Sequence, residues 1–358
     1  MTQRGTTTNA DELLSQLPGS PSCFAQKLDL IRSAVLLIQF GEDAYRASSF
    51  LDDRILGPST KGAWLPYNRV VDAARLVRNA RPLHFILHTG HVGSTLVSRL
   101  LDETGSVLSL REPLPLRTLA EAHDVLGRPD SLLGEAQFEL ALDTFMRLWT
   151  RGYASTRSVV VKTTSNTARM APTLFERHGA PHAIYLNLRA EPYLATLLAG
   201  QNSPVDLRGH GAERMRRLRS RVTTRLAPLH ALSLGELAAM SWLVESLTQR
   251  DIVERFPDRV VAIDFDGFLT DVAGWMRRIL GHFGLPLDPE YLAQVSESAV
   301  LARYSKAPEH PYGPGLRSQV LSDARRAHRK EIALGMAWLE RLAHSEAAVA
   351  RVLEEANS

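Results

Sequence analysis

Four short stretches of this sequence carry side chains suited to anionic groups at spacings that could present them together. The first, Thr89-Gly90-His91-Val92-Gly93-Ser94-Thr95, follows the apolar run Phe85-Ile86-Leu87. Two glycines let a backbone fold closely round a ligand, and the free amides at a helix start, with the positive end of its dipole, make a phosphate site. Ser94 and Thr95 add hydroxyl donors. In the second, Arg111-Glu112-Pro113, the proline fixes the turn that aims the carboxylate. The third is a β-branched run ending in Lys162-Thr163-Thr164-Ser165-Asn166, a lysine and small polar residues that packing alone explains poorly. The fourth, Arg189-Ala190-Glu191-Pro192, offers a guanidinium for a two-pronged phosphate contact. Together they suit the binding of a phosphorylated ligand.

Such residues need strand ends to hold them. Buried-strand patterns occur at 85–87, 106–110, 158–161, 183–188 and 260–265. Helical patterns lie between them: to about 103, then 116–149 with a break at 126–129, 232–256, 275–283 and 331–342. The alternation predicts an α/β fold, a three-layer α/β/α arrangement round a central, mostly parallel sheet with ligand chemistry at the strands' carboxyl ends. Residues 24–77 show apolar spacing read as helical (Leu28, Ile31, Val35, Ile38, then Tyr45, Leu51, Ile55), which predicts an N-terminal helical extension with Trp64 and Tyr67 as core or cover. Residues 1–22 read as a loose or partly helical arm. The expected organisation is an arm and extension over 1–80 and the α/β domain over 81–358.

With 358 residues, 44% of them apolar and 23% charged, the chain can bury a large core. Net charge is only +3, yet residues 208–225 hold seven arginines and one acid, so basicity is local. That suits one anionic ligand better than coating a nucleic acid. Arg214, Arg217, Arg221 and Arg225 recur every three or four residues, which predicts a solvated helix face or a mobile lid. Aromatic residues, which base stacking and lipid insertion need, are missing there, so neither nucleic acid nor membrane is expected as a partner. The single cysteine, Cys23, excludes an internal disulfide and a cysteine-rich zinc site. His88 and His91 lack further ligands, so no metal is expected. Without a signal-peptide core or a long apolar run, the chain is expected in the cytoplasm.

The loop at Gly90–Thr95 is not an ATP-type P-loop, which needs Gly-Lys-Ser/Thr after four intervening residues. It resembles the 5′-phosphosulfate loop of sulfotransferases, tyrosylprotein-type and bacterial ones above all: a strand, roughly P-[KR]-S-G-[ST]-T, then a helix. Gly93, Ser94 and Thr95 fit, while His91 stands in place of Lys or Arg and Val92 in place of Ser. Arg111-Glu112 resembles the site of that family's glutamate base, and Lys162 its strand-end lysine. Arg189 matches the arginine that grips the 3′-phosphate, with Thr196 offering a hydroxyl near the place of the family's serine. The segment from Asp264 to Asp271, then Gly284-Leu285-Pro286, follows the family's order, and Lys306 falls where basic residues return over the nucleotide.

The resemblance implies a P-loop-like, sulfotransferase-like fold. It implies 3′-phosphoadenosine 5′-phosphosulfate (PAPS) as donor and a hydroxyl of a small-molecule or peptide acceptor as target. Thr89 to Thr95 would bind the 5′-phosphosulfate, and Arg189, Thr196 and Lys306 the 3′-phosphate. Lys162, and His91 when protonated, would neutralise developing charge, and Glu112 would take the acceptor's proton. The transferred group carries one charge, so no metal is required. A small-molecule kinase with an unusual loop, or a non-catalytic nucleotide-binding protein of the same fold, are the alternatives. Neither the acceptor nor the oligomeric state is written in the sequence.

Overall fold

A computed structural model describes residues 4–177 and 180–357. The fold is α/β, with a central five-stranded sheet flanked by helices. Its strands are β4 (Leu83–His88), β5 (Val107–Arg111), β6 (Ser158–Lys162), β7 (Ala183–Asn187) and β8 (Val260–Asp264), in the order β5-β6-β4-β7-β8. β4, β5, β6 and β7 are buried along nearly their whole length, as strands of a covered parallel sheet are, whereas β8 at the edge leaves Ala262 and Asp264 exposed. By its contacts the chain divides into two compact units, described separately below.

The first unit comprises Met1–Ile86, Thr95–Ala183 and Arg277–Ala293. Here β5 and β4 both pair in parallel with β6, with Leu110 opposite Val161 and Phe85 also opposite Val161. Phe85, Ile86, Val159, Val160 and Val161 are fully buried. The helices Leu114–His123 and Glu135–Trp149 supply the crossover from β5 to β6.

Residues 24–77, expected as helices, instead hold a three-stranded antiparallel sheet: β1 (Cys23–Asp29), β2 (Ala34–Gln39) and β3 (Gly62–Pro66). Short helices, Glu42–Ala47 and Tyr67–Ala74, lie beside it in the chain. Short apolar runs satisfy a period of two as well as one of 3.6, and β-branched Val35 and Ile38 favour the strand. Phe24, Leu28, Val35, Leu37 and Leu65 are buried. Trp64, expected in core or cover, sits opposite Leu36 on the outer strand with 44% of its surface exposed. The loose arm is likewise corrected. Arg4–Gln16 is a helix packed on β3 and β2, with Leu13 and the following Leu17 buried and the Cys23 thiol donating to the Leu13 carbonyl at 3.1 Å.

The second unit comprises Leu87–Ser94, Ile184–Met276 and Gln294–Ser358. Its centre is the helix Leu234–Arg255, buried along most of its length and started by a capping box in which Ser233 and Glu236 satisfy each other's backbone amides. This helix packs on Ala190–Leu198, Gly211–Arg219 and Arg329–Ser345. Gly235 meets the Glu331 carbonyl where any side chain would collide, at 1.8 Å from an added Cβ.

The first three arginines of the row are paired with acids rather than forming a solvated face or a lid, while Arg225 is exposed. Arg214 is buried and paired with Asp206 at 3.3 Å, Arg217 is gripped by Glu213 and Glu245, and Arg221 meets Asp251 at 2.5 Å. The spacing that lines the arginines up also aims Arg217 and Arg221 at acids on the neighbouring helix, so the face serves packing. Among the described residues no helix is long and apolar enough to cross a membrane.

Candidate functional site

In the first unit, β5 and β6 end side by side, with Arg111 opposite Lys162 in register. Arg111 is the last residue of β5, and the left-handed backbone of Glu112 turns the chain out of the strand, so the two side chains part company. Arg111 is fully buried, ion-paired with Asp102 and donating to the carbonyls of Tyr45 (2.8 Å) and Ser48 (2.9 Å). The pair Arg111-Glu112, expected as one site, is thus split: Arg111 is a structural tie.

Glu112 faces the other way, with its amide donating to the Lys162 carbonyl at 2.7 Å and its carboxylate accepting from the Lys162 ammonium. Its φ of 57° is a left-handed conformation that non-glycine residues seldom adopt, and Pro113 follows at the start of the next helix. Lys162 is 1% exposed. Burial pushes its ammonium below the ordinary lysine value, and the Glu112 carboxylate opposes that. The result is an acid–base pair at a strand end: a carboxylate with one side toward solvent and a buried ammonium bonded to that single acceptor.

Thr95, in the first turn of the helix Ser94–Glu103, is also in this unit. It is buried, and among the described residues its hydroxyl has no hydrogen-bond partner. An unsatisfied buried hydroxyl at a helix start costs free energy unless a water or ligand oxygen meets it. That fits a bound oxyanion there.

In the second unit the loop after β4 is set by three left-handed residues: Gly90 (φ 101°), His91 (φ 55°) and Gly93 (φ 72°). Turned amides of this kind form anion-binding concavities. Thr89 anchors the loop, its amide donating to Leu186 (3.1 Å), its hydroxyl to Asn187 (3.2 Å), and its carbonyl accepting from the Tyr193 hydroxyl (3.2 Å). Gly93 is required twice over, by its φ and by the Phe265 ring, 1.9 Å from where a Cβ would lie. Arg317 lies 5.4 Å over that ring and pairs with Asp266 at 2.6 Å. Val92 and Ser94 are buried, and His91 is exposed.

Arg189, two residues past the end of β7, is exposed at the start of the helix Ala190–Leu198. It lines a cleft of about 530 Å³ with Asn187, Gln249, Arg250 and Asp264. The Thr196 hydroxyl donates to the Pro192 carbonyl at 2.7 Å, and Lys306 is half-buried in the loop before the helix Pro314–Ala327.

Direct contact thus joins Glu112 to Lys162, and chain continuity joins Thr89 through Thr95. Three residues near the Lys162–Glu112 pair, Phe50, Asp52 and Arg54, escaped the sequence reading. They lie more than 100 residues before Lys162, and no local spacing marks them. Among the described residues no cluster of three His, Cys, Asp or Glu side chains could hold a metal ion.

No protein-family model matches the chain, and no curated protein matches it. Similar solved structures include a sulfotransferase domain from the curacin biosynthetic pathway, at 17% identity over 74% of this chain and 98% of that one (TM-score 0.37). Sulfotransferase STF9 from Mycobacterium avium is similar at 12% identity over 89% of this chain and 96% of that one (TM-score 0.39). Mouse sulfotransferase SULT7A1, complexed with PAP, is similar at 10% identity over 72% and 88% (TM-score 0.34).

Proposed function

We propose that this chain is a sulfotransferase that moves a sulfuryl group from PAPS to a hydroxyl of a small-molecule or peptide acceptor. The observation that carries this reading is the buried, unpartnered Thr95 hydroxyl, at the head of a helix that follows three left-handed loop residues. A phosphate oxygen satisfies such a group, and the loop supplies amides for the rest of the anion. When bound, PAPS supplies the sulfuryl group and the phosphate that leaves.

The chain's own residues then have distinct tasks. The amides of Gly90 to Thr95 and the hydroxyls of Ser94 and Thr95 hold the 5′-phosphosulfate, with His91 adding charge when protonated. Lys162 provides a buried positive charge where negative charge grows, worth most in a site closed to water. Glu112 receives the acceptor's proton on the carboxylate oxygen that does not face Lys162. Arg189, with Thr196 and Lys306, recognises the 3′-phosphate and so rejects nucleotides lacking it. The cytoplasm is the setting proposed for this activity.

The test is thermal shift with adenosine 3′,5′-bisphosphate against adenosine 5′-monophosphate and ATP with magnesium. Selective stabilisation by the bisphosphate, growing with concentration and lost in Arg189→Ala and in the near-isosteric Thr95→Val, is the expected result. Equal stabilisation by all three would sink the reading, and a response to magnesium-ATP alone would turn it toward a kinase.

A further inference from the structure

Residues 48–54 of the first unit are tied to the strand ends that bear the Lys162–Glu112 pair. The Leu51 amide donates to the Arg111 carbonyl at 2.7 Å, and the buried Arg111 guanidinium holds the Ser48 carbonyl. So fixed, Phe50 lies with its ring centre 5.7 Å from the Lys162 ammonium, and the Arg54 guanidinium stacks on that ring at 3.6 Å. Arg54 also engages Asp52, Nε donating to both carboxylate oxygens (2.8 and 3.0 Å) and Nη2 to one (2.5 Å).

That pairing is side-on. A guanidinium has five N–H groups in a rigid plane, and a side-on carboxylate uses Nε–H and the nearer Nη2–H. The end-on edge, formed by Nη1 and the outer N–H of Nη2, makes no hydrogen bond among the described residues. Those two N–H groups run parallel, the geometry that grips a second oxyanion in two prongs. The Asp52 hydrogen bonds and the nearby Glu112 charge keep Arg54 protonated against its partial burial. The side chain is 59% exposed, so a ligand can reach the edge.

An ordinary surface ion pair is worth little and leaves its arginine to wander. This one is held on one side by Asp52 and against one face by Phe50, which removes most of the entropy a ligand would have to restrain. The Arg54 guanidinium and the Lys162 ammonium lie 3.6 and 5.7 Å from the centre of the same Phe50 ring, so whatever the open edge anchors lies close to the Lys162–Glu112 pair.

We propose that Arg54 is the specificity-determining residue for the acceptor: its open edge binds a carboxylate, so the acceptor is a hydroxy acid whose hydroxyl is delivered to Glu112. This rests on the transfer role proposed above for the Lys162–Glu112 pair. No bond is made or broken at Arg54 itself.

Calorimetric titration of the full chain with pairs of hydroxy acids and their amides, 4-hydroxyphenylacetate and 3-hydroxybutyrate against 4-hydroxyphenylacetamide and 3-hydroxybutyramide, tests the anchor without turnover. In at least one pair the acid binds about tenfold or more tightly than its amide, as a hydrogen-bonded charge pair implies. That preference disappears in Arg54→Gln, which can still bond Asp52, and weakens in Phe50→Leu, which removes the stack. Absence of any acid preference, or one that survives Arg54→Gln, overturns the proposal. Thermal shift with adenosine 3′,5′-bisphosphate on the same samples separates the two readings. Stabilisation without acid preference removes the anchor alone, and acid preference without stabilisation removes the transfer role alone.

Discussion

Lys162 and Arg217 are both buried cations paired with glutamates, and they differ in how many of their donors are used. Arg217 gives two parallel hydrogen bonds to Glu245 (2.7 and 3.0 Å), one to Glu213 (3.2 Å) and one to Thr248 (2.9 Å). Burial acts to lower its pKa, but Glu245 and Glu213 outweigh that and raise it. Lys162 has three N–H groups and a single acceptor, Glu112, and burial leaves its pKa lowered. A cation with four of its five N–H donors engaged is a clamp. An unsaturated one has capacity left for a ligand, and the fold bears the cost of keeping it so.

The largest effect expected from this contrast is on stability. Arg217→Ala leaves the Glu245 carboxylate buried without its partner, and breaking a buried pair on one side costs about 3–5 kcal/mol. Urea unfolding of the purified protein measures it. The double variant Arg217→Met with Glu245→Leu should recover part of the loss, because it removes the more deeply buried acid with its partner and leaves only Glu213 unpaired. If the single variant unfolds like the parent, Arg217 is no clamp and the comparison fails.

Next comes Lys162→Met, which should keep the fold to within about 2 kcal/mol, since the Glu112 carboxylate it abandons is partly hydrated. The sulfuryl transfer proposed above should fall by about 10²–10³, the usual cost of removing one donor to developing charge. Lys162→Arg sharpens the point through pH. With its pKa lowered by burial, Lys162 loses its proton below the ordinary lysine range, so activity should decline on that alkaline side. Arginine stays charged there and should move the decline upward. Stability has the opposite sense: the folded chain binds fewer protons than the unfolded one between the lowered value and the ordinary one, so Lys162's contribution grows as pH rises through that window.

A third buried base has no acid at all. His84 stacks on Phe283 (4.7 Å between centres), accepts from the His182 amide at 3.3 Å and leaves Nε2 unpartnered. Burial, then the neighbouring His182 and His282, lower its pKa to about 4. A depressed value means stability that is whole above about 6.5 and lost as pH falls toward 4, up to about 3 kcal/mol at the acid end. In His84→Phe that acid limb should flatten; melting temperatures at pH 4.5 and 7.5 that drop as far as in the parent would show the charge lies elsewhere.

The same contrast explains what could be read without coordinates. Phe85-Ile86-Leu87 and Val159-Val160-Val161 declared themselves as strands because two covered faces demand unbroken apolar runs, and the residues just after them marked the strand ends. The N-terminal sheet did not, because its short runs fit either period and its pairing is fixed by partners up to 32 residues apart, as Ala34 is from Pro66. Charge partners were hidden for the same reason. Glu245 lies on another helix from Arg217, Asp102 is reached by Arg111 from an adjoining strand, and Phe50 meets Lys162 only through the folded chain. Spacing shows which residues share a face; it does not show what that face meets.

The smallest effect is expected one helical turn beyond Arg217. Arg221 belongs to the same arginine row and pairs with Asp251 at 2.5 Å, but the aspartate side chain is 61% exposed. Water can replace each partner, and the attraction is screened by salt, so Arg221→Ala should change stability by about 0–1 kcal/mol, with the difference vanishing at high ionic strength. Urea midpoints at low and high salt measure both. A loss matching that of Arg217→Ala would mean that saturation of donors is not what separates a clamp from a bystander, and that position along the helix decides it instead.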